Sequence, residues 1–364
     1  MKVVIAGGGT GGHIFPAVAI GHALQRLAPG TELLFVGANG KMEMEKVPLE
    51  GFKIVGLDIA GFNRSNLLKN LTLPFKLWKS RKQANKVISD FQPDVVVGVG
   101  GFASFPMLYA AQAKGIPTLI QEQNSFAGKS NKILGRKAKA ICVAYSGMER
   151  FFPKENIILT GNPVRASISK ANISRQEGID AFGLDKNKKT ILIVGGSLGA
   201  RTINEAVAAG IKELTDWNVQ IIWQTGKLFV DQAKSAAEKF GKGIVVQDFI
   251  RNMEYAYAAA DIVVSRAGAL SSAELCIAGK PVIFVPYPFA AEDHQTSNAM
   301  ALVEHNAAMI VKDNEARTEL IKKLNTLVHD ENMQKIMAEH IVKHGIKDAD
   351  ERIARKVIEI SGQK

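Results

Sequence analysis

A glycine-rich turn, Gly7-Gly8-Gly9-Thr10-Gly11-Gly12-His13, follows the apolar run Val3-Val4-Ile5. Five of the six residues from 7 to 12 are glycine, so a diphosphate or a sugar can approach the backbone without meeting a Cβ atom. A helix that starts directly after such a turn directs its first N–H groups at a bound anion. The stretch therefore predicts a buried strand, an anion-binding turn and a helix, in that order.

Short runs rich in Val and Ile recur along the chain and alternate with segments that have helical spacing. Strands of this kind are buried on both faces, and their alternation with helices is typical of α/β proteins with parallel doubly wound sheets. The predicted strands are residues 3–6, 32–36, 53–57, 94–99, 118–121 and 140–143 in the first half, and 190–194, 219–224, 244–247, 261–264 and 281–285 in the second.

The second half opens as the first does, with a strand, a small-residue turn and a helix start at residues 191–200. The chain has 364 residues, which is more than one hydrophobic core usually holds. Two Rossmann-like domains are therefore expected, joined near residues 159–165, where Asn162-Pro163 interrupts regular structure. A charged amphipathic helix is expected at residues 348–364, docked on a domain surface.

The formal net charge of +11 is concentrated in the first half of the chain. Residues 1–164 hold 20 Lys and Arg against 10 Asp and Glu, which leaves 26 against 25 for the remaining residues. A basic surface can meet nucleic acid, anionic lipid or a phosphorylated substrate, and charge alone does not choose among them. Hydrophobic residues make up 46% and charged residues 22%, as in an ordinary soluble globular protein.

Only two cysteines occur, Cys142 and Cys276, and both lie in apolar surroundings. This usage is typical of a reducing compartment, excludes a zinc cluster built on cysteines, and predicts two core thiols. No apolar run reaches the 18 or so residues that a spanning helix needs, and the first residues are expected to form a strand that enters a glycine turn rather than a secretory signal. The protein is expected in the cytoplasm.

The first turn lacks the features of two common nucleotide sites. A dehydrogenase usually has an acidic residue at the end of the second strand, whereas here Leu34-Phe35-Val36 runs into Gly37-Ala38-Asn39. A P-loop would have Lys-Ser or Lys-Thr after the glycines, and neither pair follows. His13 is either a packed residue at a helix start or, given its place beside an anion-binding turn, a group that meets a substrate.

Polar residues also follow other predicted strands of the first half. Residues 97–102 form a further glycine turn, and Gln121-Glu122-Gln123-Asn124 follows the next strand. Ligands of open α/β sheets collect at the carboxyl ends of the strands, so these loops are expected to line one cleft with the first turn. Glu122 and Asn124 have an alternative role, as caps of a helix that starts near Gly128.

The second half offers a denser arrangement after the strand at 261–264. Residues 265–274 combine small residues with a helix start, and thus present N–H groups at the positive end of a helix dipole. Glu274 lies one turn inside that helix, where its carboxylate can accept both hydroxyls of a ribose; the alternative is a solvated helix carboxylate. Glu292-Asp293-His294-Gln295 opens another helix with polar groups suited to a sugar.

Seven of these motifs occur in a fixed order between residues 7 and 295. They are Gly7-Gly8-Gly9-Thr10-Gly11-Gly12-His13-Ile14-Phe15-Pro16, Gly98-Val99-Gly100-Gly101-Phe102, Glu122-Gln123-Asn124, Gly161-Asn162-Pro163-Val164-Arg165, Gly195-Gly196-Ser197-Leu198-Gly199-Ala200, Arg266-Ala267-Gly268-Ala269 and Asp293-His294-Gln295. In this order they resemble the signature of the MurG family, bacterial glycosyltransferases that convert lipid I to lipid II in peptidoglycan synthesis.

The resemblance implies a GT-B fold, in which two Rossmann-like doubly wound domains face a cleft. Residues 1–163 would form the acceptor-binding, membrane-associating domain, residues 164–344 would bind UDP-GlcNAc, and the helix at 345–364 would pack back on the first domain. The acceptor in that family is undecaprenyl-diphospho-MurNAc-pentapeptide. Family membership also implies an inverting reaction at the cytoplasmic face of the bacterial cell membrane, with the enzyme bound peripherally.

Roles follow for the residues that match the family's motifs. Thr10, Gly11 and Gly12 would lie by the donor sugar and the acceptor diphosphate, and Asn124 and Gln295 would bind the GlcNAc hydroxyls. The nucleotide would be held by Arg165 and Ser197 at the diphosphate, by the backbone of Ile250 at the uracil, and at the phosphate and ribose by Ala269, Leu270 and Glu274. Thr296 departs from the pattern, since some members have a second glutamine there.

The reaction requires a base for the acceptor hydroxyl and positive charge or N–H dipoles for the leaving diphosphate. His13 is the first candidate for the base, because an unperturbed imidazole titrates near neutral pH, and Glu122 is the alternative. No Asp-x-Asp motif lies in a candidate loop. Helix N-termini and Arg165 are therefore expected to replace a metal ion, and no cofactor is expected.

The segment from 61 to 89 has seven basic residues and no acidic one. Leucines and aromatic residues stand among them, a mixture suited to a lipid interface with anionic headgroups. A core-packed helix with a basic outer face is the alternative. Nucleic acid has little support, because basic and aromatic residues are not interleaved elsewhere. The residues expected at the membrane are Leu71, Phe75, Trp78, Lys79 and Arg81.

Two other functions remain open from the sequence. One is a different enzyme of the same architecture, such as a UDP-GlcNAc 2-epimerase or a glycolipid glycosyltransferase. The other is a non-enzymatic basic protein that binds lipid or nucleic acid, against which the two sets of ligand loops argue.

Overall fold

The computed structural model describes residues 1–59, 73–240 and 243–362. The chain divides into two compact units. The first comprises Met1–Arg165 together with Asp348–Lys364, and the second comprises Ala166–Lys347.

A parallel sheet in the order β3-β2-β1-β4-β5-β6-β7 forms the centre of the first unit. Ala6, at the end of β1, lies opposite Val36 on one side and Gly98 on the other. The chain winds outward in opposite directions from β1 and β4, which makes this pair the switch point where ligands of such sheets bind. The strands are β1 (Lys2–Ala6), β2 (Glu32–Ala38), β3 (Ile54–Leu57), β4 (Val95–Gly98), β5 (Thr118–Glu122), β6 (Ala140–Val143) and β7 (Ile157–Leu159).

Helices cover both faces of this sheet, so the strands β1, β4, β5 and β6 are almost wholly buried. Three-residue 3-10 turns at Met148–Arg150 and Lys154–Asn156 lie between β6 and β7. The helices before the second unit are α1 (Gly11–Leu27), α2 (Glu43–Leu49), α3 (Leu73–Phe91), α4 (Ser104–Ala113) and α5 (Lys129–Gly135).

The second unit has its own parallel sheet, in the order β10-β9-β8-β11-β12-β13. Its switch point lies between β8 and β11, where Val194 is opposite Ser265. The strands are β8 (Thr190–Val194), β9 (Gln220–Gln224), β10 (Ile244–Gln247), β11 (Ile262–Ser265), β12 (Val282–Phe284) and β13 (Met309–Ile310).

Apolar side chains fill both faces of the second sheet. The largest, Trp223, is fully buried, and its indole N–H donates to Asn204 Oδ1 at 3.0 Å. Further 3-10 turns lie at Ala291–Asp293, Asp313–Glu315 and Val342–His344. The helices are α6 (Ala166–Ser169), α7 (Arg175–Ala181), α8 (Arg201–Ala209), α9 (Ile211–Asp216), α10 (Val230–Glu238), α11 (Met253–Ala259), α12 (Ala269–Ala278), α13 (His294–Val303), α14 (Ala316–His329) and α15 (Glu331–Ile341).

The last helix, α16 (Ala349–Ile360), belongs to the first unit and packs on α1. Ile353, Ala354 and Val357 are buried in that contact, as an amphipathic helix requires. Arg26 Nη2 lies 2.9 Å from Asp350 Oδ2 at the rim of the contact.

All eleven strands predicted from the sequence are present, with ends displaced by at most two residues. Two strands were missed, β7 and β13, which have three and two residues and lie at the edges of their sheets. Such short edge strands have too few residues for a detectable pattern.

The predicted core thiols are confirmed, since Cys142 and Cys276 are buried and unpaired. Burial raises the pKa of each thiol to about 12. Among the described residues, none of the helices combines the length and apolar composition needed to cross a membrane.

Candidate active site

The turn after β1 uses most of its own N–H groups internally. Gly7 N–H donates to the carbonyl of Val36 at 3.0 Å, and Gly8 N–H to that of Gly100 at 3.3 Å. Gly9 N–H donates to the Glu43 carboxylate at 2.8 Å. Anion binding by this turn is therefore restricted to the start of α1. Thr10, Gly11 and Gly12, which the family resemblance placed by the substrates, lie there. For these three N–H groups the described residues provide no hydrogen-bond acceptor.

His13 lies in the first turn of α1 and is half-buried. Its Nδ1 is 3.0 Å from the carbonyl oxygen of Gly8 and 3.3 Å from Thr10 Oγ1. A carbonyl oxygen only accepts, so Nδ1 carries a hydrogen, and in the neutral ring Nε2 holds the lone pair. His13 is therefore held in the tautomer that can accept a proton at Nε2.

The glycine turn after β4 packs directly against this histidine and the first turn. A Cβ atom at Gly100, where φ is +88°, would stand 2.8 Å from His13 Nε2. A Cβ at Gly101, where φ is +86°, would overlap the backbone of Gly8. The two turns can approach this closely because these positions have no side chain.

Glu122, at the end of β5, is buried and holds the next loop. Its Oε1 accepts the N–H of Asn124 at 3.1 Å, and its Oε2 accepts from Gly128 N–H at 3.1 Å and Asn131 Nδ2 at 2.8 Å. Burial raises the pKa of this carboxyl, and the donors oppose that shift. These contacts agree with the capping alternative, because Gly128 is the N-cap residue of α5. Asn124 is partly exposed beside it.

A buried amide network joins this loop to the end of the first unit. Gln121 Nε2 donates to Asn162 Oδ1 at 3.0 Å, and Asn162 Nδ2 donates to the carbonyl of Gln123 at 2.9 Å. Gln123 Nε2 donates to the carbonyl of Val99 at 2.7 Å. Asn162, expected only as a breaker of regular structure, is thus part of the packed loop cluster. Arg165 ends the first of the two segments that form the first unit and is partly exposed.

In the second unit, Ser197 and Leu198 lie at the tip of the turn after β8 and are exposed. The turn closes on itself through Gly199 N–H to the carbonyl of Gly196 at 3.0 Å. Gln224, at the end of β9, holds it by donating from Nε2 to the same Gly196 carbonyl at 3.0 Å.

The other face of the Gln224 amide fixes Ile250. Gln224 Oε1 accepts the N–H of Ile250 at 2.9 Å, and the Ile250 side chain is 2% exposed. In this conformation the carbonyl of Ile250, rather than its N–H, is the backbone group that would face a nucleotide base such as uracil.

Helix α12 begins with Ala269 and Leu270, both partly exposed, at the carboxyl end of β11. Glu274 lies further along the helix and is only 8% exposed, so the solvated-carboxylate alternative is wrong. Its Oε2 accepts the hydroxyl of Tyr257 at 3.0 Å. Tyr257 was not identified from the sequence, because it lies in an ordinary apolar helix, α11.

Gln295 lies at the start of α13, and its Oε1 accepts the N–H of Tyr287 at 2.9 Å. Its amide nitrogen is therefore the group left to meet a sugar. Glu292 and Asp293, just before it, have φ values of +55° and +52°. Such angles are uncommon outside glycine and cluster at functional sites. Thr296 donates to Asp293 Oδ1 at 2.7 Å.

Arg266 belongs to one of the family motifs, but the sequence indicated no role of its own for it. Its guanidinium pairs with Asp313 and donates to the carbonyls of Val285 at 2.9 Å and Pro286 at 3.0 Å. It also lies within 3.2 Å of Thr202 Oγ1. Arg266 thus joins the loops after β11 and β12 to α8.

The expected membrane residues lie on α3, except Leu71, which is outside the described residues. Phe75 is 65% and Trp78 is 62% exposed. Lys79 Nζ lies 2.8 Å from Asp58 Oδ2, and this contact, with hydrogen bonds from Asn39 and Gln83, lowers the pKa of Asp58 to about 2. Arg81 stacks over the ring of Tyr109.

No set of three or more His, Cys, Asp or Glu side chains that could hold a metal occurs in the described parts of the chain.

Comparison with known proteins identifies the family. The glycosyltransferase family 28 N-terminal domain matches residues 3–143, and the family 28 C-terminal domain matches residues 190–353. A relative from Phocaeicola vulgatus is 53% identical over 99% of this chain and 96% of its own length. One from Parabacteroides distasonis is 47% identical over 100% and 99%. Both are named UDP-N-acetylglucosamine--N-acetylmuramyl-(pentapeptide) pyrophosphoryl-undecaprenol N-acetylglucosamine transferase.

Solved structures agree with this result. The crystal structure of Acinetobacter baumannii MurG is 31% identical, covers 98% of this chain and 99% of its own, and has a TM-score of 0.80. A Neisseria meningitidis UDP-GlcNAc 2-epimerase bound to UDP-GlcNAc shares the fold, with a TM-score of 0.67 at 17% identity over 99% of this chain and 100% of its own. The expected GT-B fold is confirmed. The chain belongs to the MurG family, within glycosyltransferase family 28.

Proposed function

We propose that this chain transfers GlcNAc from UDP-GlcNAc to the C4 hydroxyl of MurNAc in undecaprenyl-diphospho-MurNAc-pentapeptide, with inversion, and so makes lipid II for peptidoglycan. The names of relatives about half identical over nearly the whole chain support the substrates. The observation that carries the chemistry is the contact of His13 Nδ1 with the Gly8 carbonyl at 3.0 Å, which leaves Nε2 as a proton acceptor.

In this proposal the acceptor C4 hydroxyl gives its proton to His13 Nε2. The C4 oxygen attacks the anomeric carbon of GlcNAc, the bond from that carbon to the UDP oxygen breaks, and UDP leaves with its electron pair. His13 is favoured over Glu122 as the base, because the Glu122 carboxylate already accepts three hydrogen bonds of 2.8 to 3.1 Å from its own loop. Glu122 then acts by holding Asn124 for the sugar.

The first unit binds the acceptor in this proposal, and the second binds the donor nucleotide. Thr10, Gly11 and Gly12 offer N–H groups at the start of α1, to the acceptor diphosphate or the donor sugar. Asn124 and Gln295 are the residues proposed to bind the GlcNAc hydroxyls.

In this proposal the nucleotide is held by residues that follow the strands of the second sheet. Arg165 is a further residue proposed to hold it. Glu274 binds the ribose, and the carbonyl of Ile250 meets the uracil. The leaving diphosphate is stabilised by Arg165, Ser197 and the N-terminus of α12 at Ala269 and Leu270. No metal ion has a role in this arrangement, so activity should persist in EDTA; its loss there would contradict this assignment.

Release of UDP from UDP-GlcNAc, with and without the polyprenyl acceptor, tests the function. Release that requires the acceptor and yields a β-1,4-linked disaccharide is the expected result. Conversion of UDP-GlcNAc to its 2-epimer without acceptor would favour the epimerase alternative. Absence of UDP-GlcNAc binding by calorimetry would favour the non-enzymatic one.

The enzyme is also proposed to act while bound peripherally to the cytoplasmic face of the membrane, through α3. Phe75 and Trp78 support this, because two large exposed rings 6.1 Å apart stand on a helix rich in lysine and arginine. Lys82 Nζ lies 5.9 Å from the Trp78 ring, so a cation accompanies the apolar surface. Lys79 and Arg81 contribute less, since they already contact Asp58 and Tyr109.

Replacing both Phe75 and Trp78 by Ser should weaken binding to anionic vesicles about tenfold or more, because two large apolar side chains leave the interface. Sedimentation with phosphatidylglycerol vesicles measures the change. Leu49→Ser is the matched control, since Leu49 is 77% exposed in the same unit and lies outside α3. Equal vesicle binding by the double variant and the wild type would contradict the proposal.

A further inference from the structure

We propose that Glu43 is a positioning residue for His13, acting through the single peptide group between Gly8 and Gly9. This inference rests on the proposed function, in which His13 accepts the proton of the acceptor hydroxyl. Glu43 belongs to none of the motifs that indicate the family, and its sequence neighbours are those of an ordinary charged helix.

Glu43 is the first residue of α2, yet it is only 1% exposed. Its Oε2 accepts the N–H of Gly9 at 2.8 Å, and its Oε1 accepts the N–H of Ala38, the last residue of β2, at 3.0 Å. Both partners are backbone donors, and a carboxylate has an acceptor oxygen for each. One side chain thus ties the turn after β1 to the end of the neighbouring strand.

Two glycines make room for this carboxylate. A Cβ atom at Gly8, where φ is +142°, would overlap the Glu43 carboxyl group, and a Cβ at Gly37 would overlap the Glu43 side chain. A buried carboxylate without hydrogen-bond partners would be costly, so glycine at these positions and the two N–H donors form one arrangement. Gly8 is explained by this internal contact rather than by the approach of a ligand.

The two ends of the Gly8–Gly9 peptide bond face different side chains. Its N–H, from Gly9, donates to Glu43 Oε2 at 2.8 Å, and its carbonyl, from Gly8, accepts from His13 Nδ1 at 3.0 Å. A planar peptide transmits orientation, so fixing the N–H direction fixes that of the carbonyl. Glu43 therefore determines the position of the Gly8 carbonyl oxygen, which accepts the hydrogen of His13 Nδ1.

The same connection has an electrostatic consequence. A carboxylate bonded to the N–H of a peptide polarises its carbonyl, which becomes a stronger acceptor for Nδ1–H. The strengthened contact favours the imidazolium that forms when Nε2 takes up a proton. The arrangement parallels a catalytic triad, in which a carboxylate bonds the histidine directly, with one peptide group inserted between the two.

Other charged groups on the surrounding elements are bound elsewhere or point to solvent. The described parts of β4, α4 and the turn between them carry no charged side chain. Arg26, at the far end of α1, pairs with Asp350, and Glu122 is held by its own loop. The remaining charged or titratable side chains on α1 and α2 are His22, Glu45 and Lys46. Glu50 follows directly after α2.

The pH dependence of kcat/KM in Glu43→Gln tests the proposal. The amide can accept only one of the two N–H bonds and carries no charge, so the imidazolium of His13 loses support. We expect kcat to fall about tenfold, by analogy with the residues that orient metal-bound histidines through a hydrogen bond to the other ring nitrogen. The pKa that governs the acid limb of the profile should fall by about half a unit.

Glu45→Gln is the matched control, because Glu45 lies on the same helix and is exposed. It should retain the wild-type rate and profile. A Glu43→Gln enzyme with reduced kcat but an unmoved acid limb would overturn the proposal, since a merely structural role lowers the rate without changing the basicity of His13. Failure of the proposed function is distinguishable, because the wild type itself would then show no acceptor-dependent UDP release.

A second measurement does not depend on the folding of the variant. Nitrogen-15 NMR of the wild type with labelled histidine, assigned through His13→Gln, should find the neutral ring of His13 protonated at Nδ1. A neutral ring protonated at Nε2 would overturn the proposal, because the connection through the Gly8 carbonyl requires the Nδ1 hydrogen.

Discussion

Glycine-rich turns follow the first strand of both sheets, β1 in the first unit and β8 in the second. The first turn is fastened by a buried carboxylate, since Gly9 N–H donates to Glu43. The second is fastened by a neutral amide, since Gln224 Nε2 donates to the carbonyl of Gly196. In the described structure no acidic side chain bonds to residues 195–200.

The difference has a direct electrostatic meaning. The Glu43 carboxylate opposes an anion at residues 8 and 9 of the first turn and leaves only the start of α1 for one, whereas the amide that holds the second turn carries no charge. The first turn is better suited to orient a base, and the exposed Ser197 turn is better suited to receive the nucleotide diphosphate. Similar sequence patterns thus support different functions, and the side chain that holds each turn, Glu43 or Gln224, determines the function of that turn.

The largest effect that separates the two turns is expected from one alanine substitution in each. In Gly8→Ala the new Cβ overlaps the Glu43 carboxyl at a φ of +142°, so steric conflict and backbone strain add to about 3 kcal/mol of lost stability. Gly196→Ala meets no atom within 4 Å at a φ of +86°, and only backbone strain of about 1 kcal/mol remains. Denaturant-induced unfolding measures the loss of stability in each variant, and kcat is measured on the same proteins.

Glu43→Ala added to Gly8→Ala sharpens this test. Removing the carboxylate relieves the steric conflict, so the two substitutions should be strongly non-additive in stability. Additive losses would mean that Glu43 and Gly8 are not in contact, and the distinction between the turns would fail.

A smaller effect is expected from Tyr257→Phe in the second unit. The variant removes the hydroxyl that donates to Glu274 at 3.0 Å, so the carboxylate is less well oriented for a ribose. A hydrogen bond of about 1 kcal/mol corresponds to a rise of about fivefold in KM for UDP-GlcNAc, with kcat nearly unchanged. Tyr255→Phe, on the same helix, should leave KM unchanged, and a rise there equal to that of Tyr257→Phe would contradict this role.

Much of the fold could be predicted because its signals are local. Buried parallel strands are continuous runs of Val and Ile, and the glycine turns stand directly after them, so eleven strands and the glycine turns after β1 and β8 could be placed. The strands β7 and β13 escaped because pairing at a sheet edge, rather than a pattern in their own residues, defines them.

The parts of the site that escaped prediction depend on contacts between distant residues. Glu43 stands among Lys41, Glu45 and Lys46 and has the local pattern of an exposed helix, but a turn 34 positions earlier in the chain supplies its hydrogen-bond donor. Gly37, an unexplained glycine at the end of β2, was the available signal, because it leaves space for a neighbouring side chain. The burial of Glu274 against Tyr257 likewise arises from helix packing.

His13→Ala tests the central claim most directly, through turnover with lipid I and calorimetric binding of UDP-GlcNAc measured on the same preparation. Loss of the base should lower kcat about 100-fold or more, while the affinity for UDP-GlcNAc stays within about twofold of the wild type. Turnover near that of the wild type would contradict the account and remove His13 from the role of base.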